Sequence, residues 1–187
     1  MDLQLVFKTD NILFYKVSIE LLDEYLELVN DKSIQRSTLT KEKEYSKEKE
    51  LAWIQNVLAN NELVFSMLDK NTNEFIGNIS LDVINDESAE IALSIKSIMQ
   101  NKGYGKEAIR GLIDYAKEVL HYKSLIAVIF SNNERSLHCF QKFGFKEYER
   151  EEAVKKKNGQ FIDDIYLRLE LWVLETKLYP KMKESIV

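Results

Sequence analysis

The chain contains one cysteine, one proline and two histidines in 187 residues, and no apolar run of membrane-spanning length. A lone Cys139 excludes an internal disulfide framework, and one cysteine with two histidines cannot build a zinc cluster, so no metal site is expected. Charges break the longest apolar runs well before the ~20 residues a membrane helix requires. The first residues lack a basic-then-apolar leader, and a cytoplasmic location is the expectation. Net positive charge is missing too. A formal charge of −5 argues against non-specific nucleic-acid binding and leans toward a cationic substrate. The basic run Lys155-Lys156-Lys157 reads as a solvated hairpin arm before an Asn158-Gly159 turn. No repeat and no low-complexity segment occurs. Hydrophobic residues make up 45% of the chain, which suits one globular domain over residues 1–187.

The most informative stretch runs from Gln100 to Ile109, where a loop with Gly103 and Gly105 leads into a helical pattern. Ala108, Ile109, Leu112, Ile113, Ala116, Val119 and Leu120 recur at three- and four-residue intervals and mark a buried helix face. The glycines therefore stand at a helix N-terminus, where free N–H groups and the positive end of the helix dipole favour an anion. Lys102 and Lys106 add positive charge. A Walker loop does not fit, because Gly105-Lys106 lacks a glycine five positions earlier and is followed by Glu107 instead of a hydroxyl. The dinucleotide fingerprint matches Gly103, Gly105 and Ala108, but no acidic residue closes the next strand, which ends at Phe130-Ser131. A glycine turn that merely caps the helix is the plain alternative.

Three further groups of residues follow in series. Gln100, Gly103 and Gly105 fit R/Q-x-x-G-x-G/A. Asn133-Glu134-Arg135-Ser136 fits N-x-x-S/A, and Phe143-Gly144-Phe145 fits x-G-F. This order and spacing resembles the GNAT acetyltransferases, and Ile76 to Leu81 with Ala89 to Ile91 resembles their RimJ/RimL and polyamine-acetyltransferase branch. The resemblance covers roughly residues 10 to 170. It implies acetyl-CoA as co-substrate, with the pyrophosphate on the backbone of Gln100, Asn101, Lys102, Gly103, Tyr104 and Gly105 and the Lys106 side chain beside it. It also implies a pantetheine arm between the strand at Ile95 and the segment carrying Asn133, Ser136 and Phe140. Asn133 is equally well read as the N-cap of its helix.

Taken in order, the chain predicts a strand from Ile12 to Val17 and a helix capped by Ser18 with Leu21, Leu22, Tyr25, Leu26, Leu28 and Val29 inward. A polar stretch from Lys32 to Lys49 follows, with a loop beginning at Thr38 or Thr40. A second helix then carries Leu51, Trp53, Ile54, Val57 and Leu58 up to Asn60-Asn61. Leu63 to Leu68 and Phe75 to Ile84 form a hairpin. In the latter Ile79, Leu81 and Val83 alternate with Asn78, Ser80 and Asp82. Ala89 to Ile95 is a strand with Glu90 and Ser94 on one side. After the glycine-led helix come a strand Ser124 to Phe130, a helix from Asn133 to about Phe143, a strand near Phe145 to Glu149, and a long strand from Ile162 to about Trp172. Leu174, Leu178 and Met182 suggest a terminal helix or tail. The expected class is α/β (α+β): a GNAT-like mixed, mostly antiparallel twisted sheet with helices on both faces.

Acetyl transfer to an amine requires a neutral nucleophile. Glu90 is the candidate general base, against a plain reading as a surface glutamate; Glu87 and Asp82 are weaker candidates. By the resemblance, the first two helices wall the acceptor cleft, so Arg36, Tyr45 and Trp53 are candidate amine contacts, with core packing the alternative for Trp53. Many GNAT enzymes carry a tyrosine acid seven positions after the asparagine, and this chain has Phe140 there. Water, or a shifted donor such as Tyr104 or His138, is the alternative, and none of them is assigned. The expected partner is a small-molecule or peptide amine (polyamine, protein N-terminus, amino sugar or antibiotic), with no nucleic acid and no membrane, and a homodimer is one assembly compatible with it. The alternative function is a non-catalytic acyl-CoA-binding regulatory protein.

Overall fold

The computed structural model describes residues 3–38, 42–157 and 160–171, with side chains described outside 154–157 and 160. Eight strands form one sheet: β1 Leu5–Lys8, β2 Ile12–Lys16, β3 Leu63–Asp69, β4 Phe75–Asn85, β5 Ser88–Ile95, β6 Ser124–Phe130, β7 Lys146–Lys157 and β8 Gln160–Glu170. Their order is β1-β2-β3-β4-β5-β6-β8-β7, and only β5 and β6 run parallel. The helices are α1 Leu22–Asn30, α2 Lys32–Thr38, α3 Lys47–Ala59, α4 Tyr104–Glu118 and α5 Glu134–Gln141.

Strand alternation sorts the side chains into two cores. Phe14, Phe65, Met67, Ile79 and Leu81 pack with Ala108, Ile109 and Leu112 of α4 and Phe140 of α5. Val17, Leu68 and Phe75 pack on the other face with Tyr25 and Leu28 of α1 and Ile54 and Val57 of α3. The sheet is thus covered on both faces, as the alternation of strands and helices predicts. Past the second core, Asn78, Ser80 and Asp82 of β4 pair with Ser94, Ala92 and Glu90 of β5, giving a polar track on the α1/α3 face.

Several elements differ from the sequence reading. A strand, β1, precedes Ile12; Phe7 stacks on Phe14 and on Tyr115, with ring centroids 4.1 and 4.5 Å apart. The polar stretch after Lys32 is helical through Thr38, because the Asp31 carboxylate accepts from Ser33 N (2.8 Å) and Ile34 N (3.4 Å) at its start, and Ile34 and Gln35 are buried. Val119 is 57% exposed, since α4 ends one residue earlier. Val83 is exposed because β4 runs past the core. β7 continues far beyond Glu149 as an edge strand, with breaks in register after Glu147 and Glu151. β8 ends at Glu170. Thr40, the Asn158-Gly159 turn, Trp172 and the terminal Leu174, Leu178 and Met182 pattern lie outside the described residues. Among the described residues no helix is long and apolar enough to cross a membrane.

Candidate active site

The site begins where the two parallel strands part. β5 and β6 pair at only three positions, Ser88 with Ser124, Ala89 with Leu125 and Glu90 with Ile126. Beyond them, residues 91–95 of β5 stay on β4 and residues 127–130 of β6 stay on β8. The two halves diverge and leave one backbone edge of each strand facing a cleft, at the carboxyl ends of parallel strands where ligands of α/β sheets bind. Two connected cavities of about 160 and 320 Å³ fill the opening and share Ser37, Leu93, Asn133, Ser136 and Phe140.

Glu90 is the last residue paired before the strands part and lines the inner cavity. Burial, then the neighbouring charges of Asp82 and Asp164, push its carboxyl above the usual glutamate range. Phe140 is 4% exposed, lines both cavities, and meets Phe145 edge to face at 5.1 Å. Its ring cannot donate a proton.

At the outer end, Gly103 stands at the start of α4 with φ +94°, a conformation L side chains rarely adopt, and a Cβ there would meet nothing within 4 Å. The Gly103 carbonyl accepts from Lys106 N (3.1 Å) and Glu107 N (3.2 Å). No described protein group accepts from the N–H of Lys102, Gly103, Tyr104 or Gly105. A run of unpaired donors at a helix N-terminus, with open space before it, fits a pyrophosphate. The acid in this first turn is held away: Glu107 accepts from Thr9 Oγ1 (2.6 Å), Asn11 N (2.7 Å) and Asn11 Nδ2 (3.0 Å). Gly105 serves packing as well as access, since its Cβ would lie 3.3 Å from Ile95 Cδ1 at the cavity wall.

Gln100 Nε2 donates to Ile95 O (2.9 Å) while its Oε1 accepts from Arg135 Nη1 (2.7 Å). The glutamine thereby ties the end of β5 to α5 across the mouth. Arg135 belongs to the Asn133–Ser136 motif, yet nothing in its local spacing marks this bridge. Asn133 does cap α5, its Oδ1 accepting from Ser136 N (3.2 Å), and it also lines the cleft, where its amide NH2 has no described acceptor.

The structure thus gathers Glu90, Ile95, Gln100, Gly105, Asn133, Ser136 and Phe140 around one cleft. The side chains of Asn101, Lys102, Tyr104 and Lys106 are not in its lining. The Tyr104 hydroxyl donates to Asp69 Oδ2 (2.5 Å), which pushes the phenol up to about 12. His138 is exposed and lines neither cavity. Arg36 is exposed and pairs with Glu42 at 3.1 Å. Tyr45 and Trp53 line a separate pocket, and Trp53 also packs edge to face on Tyr25 at 5.5 Å. Sequence reasoning missed Ser37 of α2, which walls both cavities, because the segment carrying it reads only as a polar stretch. Among the described residues no group of three or more His, Cys, Asp or Glu is placed to hold a metal ion.

Comparison with known proteins agrees with this geometry. An N-acetyltransferase 9-like protein of Nematostella vectensis is 31% identical over 128 residues, 62% of this chain and 65% of that protein. An uncharacterized N-acetyltransferase, p20, of Bacillus licheniformis is 29% identical over 101 residues, 53% of this chain and 57% of that protein. The chain thus spans under two thirds of the length of each of these curated relatives. Among solved structures, spermidine N-acetyltransferase from Vibrio cholerae in complex with CoA and spermine superposes with a TM-score of 0.80 over 87% of this chain and 97% of that one, at 20% identity, a likeness of fold. The acetyltransferase (GNAT) domain family matches residues 11–146, most of the chain, which therefore belongs to that family.

Proposed function

We propose that the chain is an acetyl-CoA-dependent N-acetyltransferase of the RimJ/RimL-like branch that acts in the cytoplasm on a primary amine. The observation that carries the reading is the parting of β5 and β6 beneath the unpaired N–H groups of the Gly103 loop. Acetyl-CoA supplies an acetyl group activated as a thioester. The donors from Lys102 to Gly105 hold its phosphates, the free edge of residues 91–95 takes the amide-bearing arm, and the Asn133 amide supports that arm from α5. The amine arrives as an ammonium and must lose a proton before attack. Glu90, half-buried at the point of the opening and with its proton affinity raised, takes that proton directly or through a water. The amine nitrogen then bonds to the acetyl carbon as the carbon–sulfur bond breaks, and the nitrogen releases its remaining extra proton to water as the amide forms. CoA departs as a thiolate, tolerable for a thiol of pKa near 8.5, because Phe140 offers no proton.

The named activities of the two curated relatives support transfer to nitrogen, and the Vibrio cholerae neighbour, bound to CoA and spermine, supports an amine acceptor. Thiol release from acetyl-CoA over a panel of polyamines, peptides, amino sugars and aminoglycosides tests the reading. Release that depends on one class of amine is expected. Tight acetyl-CoA binding without release for any amine would replace the enzyme with a non-catalytic acyl-CoA-binding protein.

A further inference from the structure

A third pocket, of about 430 Å³, lies between α1, α2 and α3 at the far end of the polar track on the sheet. Its wall includes Glu50, Trp53, Tyr45, Asn78 and Ser94. Glu50 is only 4% exposed, and no described residue forms a hydrogen bond or ion pair with its carboxylate. Three polar side chains near it are committed elsewhere. Gln35 Nε2 donates to Val29 O (2.5 Å) and Lys43 O (2.8 Å), while its Oε1 accepts from Lys43 N (2.9 Å). Thr38 Oγ1 donates to Ile34 O (3.0 Å), and the Tyr25 hydroxyl is shared with Ser66 Oγ (2.5 Å). Lys49 lines the same pocket but is exposed and makes no ion pair with Glu50. Its oxygens are not cut off from the pocket space, and a carboxylate set this deep without a described partner favours a cation that enters there.

We propose that this pocket is a subsite for a second, non-reacting ammonium group of the acceptor, with Glu50 as its counter-charge and Trp53 and Tyr45 as aromatic neighbours. The inference rests on the transferase reading and narrows it to an aliphatic acceptor with two cationic ends. The spacing follows from the sheet. Glu90, at the reacting end, and Ser94, in the pocket wall, are four residues apart on β5, roughly 13 Å at about 3.3 Å per residue. Between them runs a groove of about 220 Å³ whose lining includes Asp82, Ser80, Asn78 and Glu62. Asp82 and Glu90 face each other across the strands; burial first, then the charge of Glu62 on Asp82 and of Asp82 and Asp164 on Glu90, raises both carboxyls, as expected of a track that favours a polycation. The aromatic faces of Trp53 and Tyr45 suit an ammonium at the distal end.

The test compares diaminooctane with aminooctanol, in which a neutral hydroxyl replaces the second ammonium, as acceptors for wild type and Glu50→Gln. Wild type should prefer the diamine by ~10-fold or more in kcat/KM, with the difference residing in KM. In Glu50→Gln the preference should collapse toward the statistical factor of about two from the diamine's two reactive ends. A wild-type ratio near two, a ratio retained in the variant, or an equal loss with both acceptors would overturn the subsite. If neither acceptor is acetylated, calorimetry with the acetyl-CoA-loaded protein decides separately. Diaminooctane binding that exceeds aminooctanol binding and is lost in Glu50→Gln would keep the subsite while the transferase reading falls. No such difference in wild type, which needs no variant to fold, would remove it.

Discussion

Glu90→Gln tests the base, and its expected effect depends on pH in a way that can be worked out beforehand. An alkylammonium with pKa near 10.4 is neutral in only about one molecule in 10³ at pH 7. If Glu90 takes the proton from bound ammonium, the reactive pair is ionised Glu90 with charged amine, and wild-type kcat/KM should level off between the two pKa values. The acidic limb should fall above the ordinary glutamate range, because burial and the charges of Asp82 and Asp164 raise Glu90. The glutamine variant can use only amine that is already neutral. Its rate should climb about tenfold per pH unit and trail wild type by ~10² to 10³-fold at pH 7, about 3 to 4 kcal/mol of barrier, with the deficit closing toward pH 10. Thiol release over pH 6 to 10 at saturating acetyl-CoA reads both curves. Parallel profiles, or a deficit under threefold at pH 7, would return Glu90 to a structural role on the sheet.

Gly105→Val should weaken acetyl-CoA binding by calorimetry at least ~10-fold with an unchanged far-UV circular dichroism spectrum, because the added methyls enter the cavity beside Ile95, where even a Cβ sits 3.3 Å from its tip. Phe140→Tyr should leave that affinity alone and raise turnover most below the thiol pKa of about 8.5, where protonating the leaving group helps; equal rates across pH 6 to 9 would show that water already serves. Asp31 accepts from Ser97 Oγ, Ser33 Oγ and two backbone N–H groups, and its carboxyl is held down at about 2. A depressed carboxyl stabilises the fold above its unfolded pKa of about 3.9 and loses that contribution as pH falls toward 2. Urea midpoints for wild type and Asp31→Asn should therefore differ at pH 6 and converge at pH 2; a constant gap would contradict the linkage.

The parts of the fold readable in the sequence are those whose burial follows local periodicity. Residues 78–83 and 89–95 alternate, Ala108 to Ala116 repeat at helical spacing, and each element stands where its pattern predicts. α2 escaped because its polar residues carry little periodic signal; an Asx cap at Asp31 and the bond from Ser97 hold it in place. The continuation of β7 past Glu149 escaped because an edge strand rich in charge needs no alternation once β8 supplies its hydrogen bonds. The glycine loop announced itself, since backbone donors and missing Cβ atoms are written as residue types. The cleft beside it did not, because the parting of β5 and β6 is a property of which strands pair and where pairing stops. Glu50 follows the charged run Lys47-Glu48-Lys49 at the end of the polar stretch. It is buried against α1 and α2, and no local pattern reports that.

The account stands or falls on where acetyl-CoA lies, and backbone hydrogen exchange followed by mass spectrometry, with and without saturating acetyl-CoA, measures that most directly. Exchange should slow in peptides covering residues 91–95 and 101–106, whose free strand edge and unpaired N–H groups would acquire partners, while peptides from β1 and β7 keep their rates. Protection confined to other segments, or none at a concentration that saturates binding, would contradict the cleft between β5 and β6 as the cofactor site.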